Sequence, residues 1–137
     1  MIKQHLYLRD YRWECFVYYA ITPQDANEIL LKIGSIGADR IDLDNAWDNL
    51  TKGDRNSGLT YSNFSSGKSV IVIAKATTAL EFTKSWFHEA GHLATHIATA
   101  FGINLKGEEV RYICDDIVGE MWDVAKGFVC ECCRGLD

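Results

Sequence analysis

The chain has 137 residues, 47% of them hydrophobic and 24% charged, a balance that suits one folded domain and excludes a low-complexity or fibrous polymer. Its net charge of −5, with lysines and arginines scattered singly, excludes a protein that grips nucleic acid by neutralising phosphates. Its longest apolar runs, such as Val70–Ala74, are too short to cross a bilayer.

In chain order, Met1–Arg12 mixes charges without an apolar run, so no secretory signal is read there and the expected location is the cytosol. Trp13–Ile21 is rich in aromatic and β-branched residues and predicts a strand. Thr22-Pro23 then reads as a helix N-cap followed by proline in the first turn, opening a helix to about Ile33 that Gly34 stops. Leu43, Ala46, Trp47 and Leu50 recur at helical spacing within Asp42–Thr51. The stretch Lys52–Gly67 is polar and punctuated by Gly53, Asn56, Ser57, Gly58 and Gly67, with a short strand expected near Leu59–Phe64. The unbroken apolar run Ser69–Ala74 predicts a strand buried on both faces. A long helix follows over about Thr78–Phe101, ended by Gly102, and a last helix covers about Gly107–Phe128. These elements make a single α+β domain spanning residues 1–137.

The stretch that carries chemistry is Phe87-His88-Glu89-Ala90-Gly91-His92-Leu93. On a helix, residues four apart are offset by about 40° and rise about 6 Å, so His88 and His92 leave one face a turn apart. Two imidazole nitrogens so placed can meet one ion at about 2 Å. Glu89 falls between them and can reach a water beside that ion without becoming a ligand. The spacing therefore predicts a zinc site with His88 and His92 as ligands and Glu89 as general base. His96 continues the series, but a further turn carries it out of reach of the same ion, to the rim of the site. Thr95 and Ala98 stand where a metzincin would place glycine and histidine, which disfavours that class.

A third ligand is expected from the last helix, among Glu108, Glu109, Asp115, Asp116 and Glu120. Glu109 shares a stripe with Ile113 and Ile117 and is favoured; Glu108 lies about 100° aside and comes next. Asp116, on nearly the same face, could hold the second nitrogen of a ligand histidine. Tyr112, or failing that Tyr61, is the candidate donor to a developing oxyanion. Five cysteines without a secretory signal read as reduced thiols: Cys15, Cys114, Cys130, Cys132 and Cys133. The cluster Cys130-Glu131-Cys132-Cys133 would need Cys15, Cys114 or a histidine to close a metal site, and otherwise packs a helix end.

Phe87–Leu93 followed by Gly107-Glu108-Glu109-Val110-Arg111-Tyr112-Ile113 resembles small zinc-peptidase-like proteins of phages and mobile elements in gut bacteria, which look like minimal gluzincins. The segments Gly58–Asn63, Ser69–Val72 and Glu81-Phe82 extend the likeness over roughly 58–120. The resemblance implies a zincin-like domain, a short sheet packed on the motif helix and on a following ligand helix. It also implies zinc held by His88, His92 and Glu109, with Glu89 as base. The expected activity is zinc-dependent hydrolysis of a peptide or protein. The competing expectation is a regulatory or partner-binding module whose zinc is structural or vestigial, and an intact Glu89 favours the enzyme.

Overall fold

The structure, a computed structural model, describes residues 1–52 and 58–129. The loop punctuation at Gly53, Asn56 and Ser57 and the cluster Cys130, Cys132 and Cys133 lie outside the described residues.

Two strands, β1 (Ile2–Leu8) and β2 (Trp13–Ile21), form an antiparallel hairpin. Its turn is a single 3₁₀ turn, Arg9–Tyr11, closed by Arg12 in the left-handed region (φ 51°). Composition hides β1: Lys3, Gln4 and His5 mask the period, and only Leu6 and Leu8 are buried. After β2, Thr22 and Asp25 form a reciprocal cap around a 3₁₀ turn, Pro23–Asp25, that leads into helix α1 (Ala26–Ser35). The helix runs through Gly34, and the chain turns at Gly37, whose φ of 112° suits a residue without a side chain. Helix α2 (Arg40–Thr51) is capped by Asp39, which accepts from the Asp42 amide at 2.8 Å. Strands β3 (Leu59–Asn63) and β4 (Lys68–Ala74) make a second antiparallel pair, and helices α3 (Ala79–Ala100) and α4 (Glu108–Val129) close the described chain.

The sheet order is β1-β2-β4-β3, with β2 and β4 parallel at its centre. A parallel neighbour demands a crossover, and the chain uses α1, α2 and β3 for it. Helices therefore cover both faces, which explains why Val70, Ile71, Val72 and Ile73 are all fully buried. On one face Trp13, Cys15, Val17, Tyr19, Ile71 and Ile73 pack against α3 and α4. On the other, Tyr18, Val70 and Val72 meet Ile29, Ile33 and Leu50 of α1 and α2. The α+β class is thus observed as a four-stranded mixed sheet between two helical layers. No described helix is long and apolar enough to cross a membrane.

Cys15 sits at the centre of this core with no exposed surface. Burial pushes its thiol far above the ordinary range, opposed only in part by a hydrogen bond involving the backbone of Ile71. The thiolate is the nucleophile, and a raised pKa keeps the thiol protonated at pH 8. Iodoacetamide should therefore modify Cys15 in native protein at least about 100-fold more slowly than in denaturant, at a rate set by opening of the sheet. Peptide-mapped mass spectrometry reads this directly, with half-buried Cys114 as internal reference; prompt labelling of Cys15 would contradict the packing.

Candidate metal centre

Helix α3 is anchored at its start by Thr78, whose hydroxyl accepts from the Glu81 amide at 3.1 Å, while the Glu81 carboxylate accepts from the Thr77 amide and hydroxyl. Its apolar stripe, Phe82, Trp86, Ala90, Leu93, Ala94 and Ile97, faces the sheet and α4. That phase turns Glu89 and His96 toward β3, the edge strand, and leaves His88 and His92 exposed.

His88 and His92 converge. Their Nε2 atoms lie 3.0 Å apart with the rings perpendicular. Two nitrogens each about 2.1 Å from one tetrahedral ion would stand about 3.4 Å apart, so a few tenths of an ångström convert this pair into a chelate. Both side chains are exposed, so an ion would meet them from solvent.

Glu89 points the other way in environment. It is 5% exposed although it neighbours both histidines. The Thr60 hydroxyl of β3 donates to its Oε1 at 2.9 Å and lies 3.2 Å from its backbone carbonyl oxygen. Burial raises its pKa, while the Thr60 hydrogen bond and then the His92 and His88 imidazoles pull it down. The result is a carboxylate more basic than an exposed one, held at a fixed position. Gly58 makes room for it: a methyl group there would lie 2.7 Å from Glu89 Oε2 and 3.0 Å from the Val72 carbonyl oxygen.

His96 stays beside this group but not in it. Its ring lies 6.5 Å from that of His92, and its Nδ1 meets Ser62 Oγ at 2.7 Å. Ser62 Oγ is 2.6 Å from Ser69 Oγ, to which the Trp13 indole donates at 2.7 Å. Thr60 and Ser62 face α3 because β3 alternates; Leu59 and Tyr61 pack on the opposite face. Tyr61 is thereby drawn toward Asp42 and away from the histidines.

The remaining expected partners stand elsewhere. Glu109 is exposed and stands near the Tyr11 phenol, whose pKa is raised by burial and then by the charges of Glu109, Asp10 and Asp116. Glu109 stands there because of helix length: α3 continues eight residues past His92, so the turn into α4 falls about 12 Å further along. Glu108 pairs at the surface with Arg111, at 3.7 Å, and Tyr112 is 62% exposed. Asp115, Asp116 and Glu120 line a groove between α4 and the Tyr7–Tyr11 segment. Among the described residues, no group of three or more His, Cys, Asp and Glu side chains is gathered as a metal cage. Thr60, Ser62, Ser69, Trp13 and Gly58 were not marked as site residues by sequence reasoning. The alternation of Leu59–Asn63 was the one signal that could have placed Thr60 and Ser62 against the polar stripe of α3.

Comparison with protein-family models, with characterised proteins and with solved structures returned no match.

Proposed function

We propose that the chain is a zinc-dependent hydrolase of the gluzincin type acting on peptide bonds, with His88 and His92 holding the ion and Glu89 as general base. The observation that carries this reading is Glu89: a buried carboxylate, oriented by Thr60, set beside two converging imidazoles. Burying a carboxylate is costly, and neither packing nor a structural ion calls for one there. Zinc, when bound, supplies the Lewis acidity that lets water lose a proton near neutral pH. Glu89 takes that proton on a carboxylate oxygen, and Thr60 keeps the other oxygen from rotating away.

Two features support a peptide as substrate. Strand β3 pairs only with β4 among the described residues, so the strand whose Thr60 and Ser62 hold Glu89 and His96 has an outer edge with unpaired backbone groups. A cleft of about 640 Å³, lined by Lys75, Thr77, Lys84, Ser85 and His88, opens along α3.

Elemental analysis and zinc titration test the proposal. One zinc per chain is expected, with uptake lost in His92→Ala. Glu109→Ala is the companion variant: a matching loss would bring α4 into the ligand set, and unchanged uptake would leave Glu109 with Tyr11. Wild-type protein that takes up no zinc removes the reading altogether.

A further inference from the structure

The polar chain that ends on His96 has a direction. Its first member, the Trp13 indole, can only donate, and it donates to Ser69 Oγ at 2.7 Å inside the core. Ser69 has no exposed surface, and among the described residues its hydroxyl meets only Trp13 and Ser62. Having accepted from the indole, Ser69 keeps its own proton paired only by donating to Ser62 Oγ, 2.6 Å away. Among the described residues Ser62 Oγ meets only Ser69 Oγ and His96 Nδ1, 2.7 Å away. Once it accepts from Ser69, its own proton has His96 Nδ1 as acceptor, and an Nδ1–H there would leave that proton with none among them. Reversing the chain would make Ser69 accept twice and leave a buried hydroxyl proton with no acceptor, the arrangement that folded proteins avoid.

His96 Nδ1 is therefore an acceptor, and the ring's proton resides on Nε2. A protonated Nε2 has no lone pair to give a metal. What it offers is an N–H on the far side of the ring from Ser62, on the helix face that carries His88 and His92 and one turn beyond His92.

We propose that Trp13, Ser69 and Ser62 lock His96 as its neutral Nε2–H tautomer, making it a hydrogen-bond donor to a substrate peptide carbonyl beside the metal site and not a ligand of the metal. The substrate half of this proposal rests on the hydrolase reading; the tautomer half does not.

Long-range ¹H–¹⁵N correlation spectra of metal-free, ¹⁵N-histidine-labelled protein test the lock directly. The expected pattern is an unprotonated Nδ1 and a protonated Nε2 for His96, with the preference relaxed in Ser69→Ala. The opposite pattern in wild type overturns the proposal, whatever the activity. Two zinc-directed probes test the role on zinc-loaded protein. His96→Ala should weaken binding of a peptide hydroxamate about 3- to 10-fold, the range of one hydrogen bond, and leave acetohydroxamate, which lacks a peptide carbonyl, unchanged. His96→Gln, which retains an N–H donor, should recover part of the loss. Equal weakening of both probes, no weakening of either, or loss of zinc from His96→Ala would each overturn the assignment. A wild-type chain that binds no zinc would remove the hydrolase reading, while the spectra would still decide the tautomer.

Discussion

Glu89→Gln is expected to take up zinc as the wild type does and to hydrolyse peptides about 10²- to 10⁴-fold more slowly, the usual contribution of a positioned general base. The replacement is nearly isosteric, and Thr60 can donate to the amide oxygen as it does to the carboxylate at 2.9 Å. The two imidazole nitrogens, 3.0 Å apart, involve no atom of residue 89, so the ligand pair should persist. What disappears is the ability to accept a proton. Mass-spectrometric cleavage of a casein digest, run beside zinc titration, separates the two effects. Loss of zinc from the variant would make Glu89 a ligand and would sink its assignment as base; unchanged cleavage would remove it from the chemistry.

Gly58→Ala should damage the same carboxylate from the opposite side. The added methyl would stand 2.7 Å from Glu89 Oε2, 3.3 Å from its Cδ and 3.0 Å from the Val72 carbonyl oxygen. Val72 belongs to the central strand β4 and cannot retreat, so Glu89 must leave its place or β3 must lift from the sheet. Overpacking of this kind costs about 1–3 kcal/mol. Cleavage should fall further than stability does, because the carboxylate is the more mobile of the two obstacles. A double-mutant cycle with Glu89→Ala checks the cause. The stability cost of Gly58→Ala should shrink in the Glu89→Ala background, giving a coupling of about 0.5 kcal/mol or more. Strict additivity would mean that residues 58 and 89 do not touch.

How much was legible before the structure follows from the range of each contact. His88 and His92 are one helical turn apart, so their spacing alone put them on one face, whereas the turn of Glu89 inward against Thr60 was not legible from spacing. Local pattern also sufficed for α3 and α4, whose apolar periods are strong, and for Ser69–Ala74, whose double-sided burial is observed. Strand β1 escaped notice because Lys3, Gln4 and His5 interrupt its alternation and only two of its side chains are buried. Gly34 did not end α1; the turn waits for Gly37, where the backbone leaves the right-handed region. Glu109 was correctly phased with Ile113 and Ile117, yet phase says nothing about height along the axis, and the length of α3 sets it beside Tyr11. Thr60, Ser62, Ser69 and Trp13 reach the site only through strand pairing, which no local pattern encodes.

That difference in range also divides the site in time and in resistance to unfolding. The imidazole pair needs one turn of helix, a structure that forms within about a microsecond. Thr60 meets Glu89 across 29 positions, Ser62 meets His96 across 34, and Trp13 meets Ser69 across 56. The last of these bonds awaits closure of the parallel β2–β4 ladder and the first two await docking of β3 on α3, long-range pairings of the kind that slow folding. The pairing of the two imidazoles therefore needs only local structure, while the Thr60 contact that holds Glu89 depends on the edge strand β3 staying docked. In mild denaturant, capacity to hold zinc and capacity to cleave should part company well before the chain as a whole comes undone.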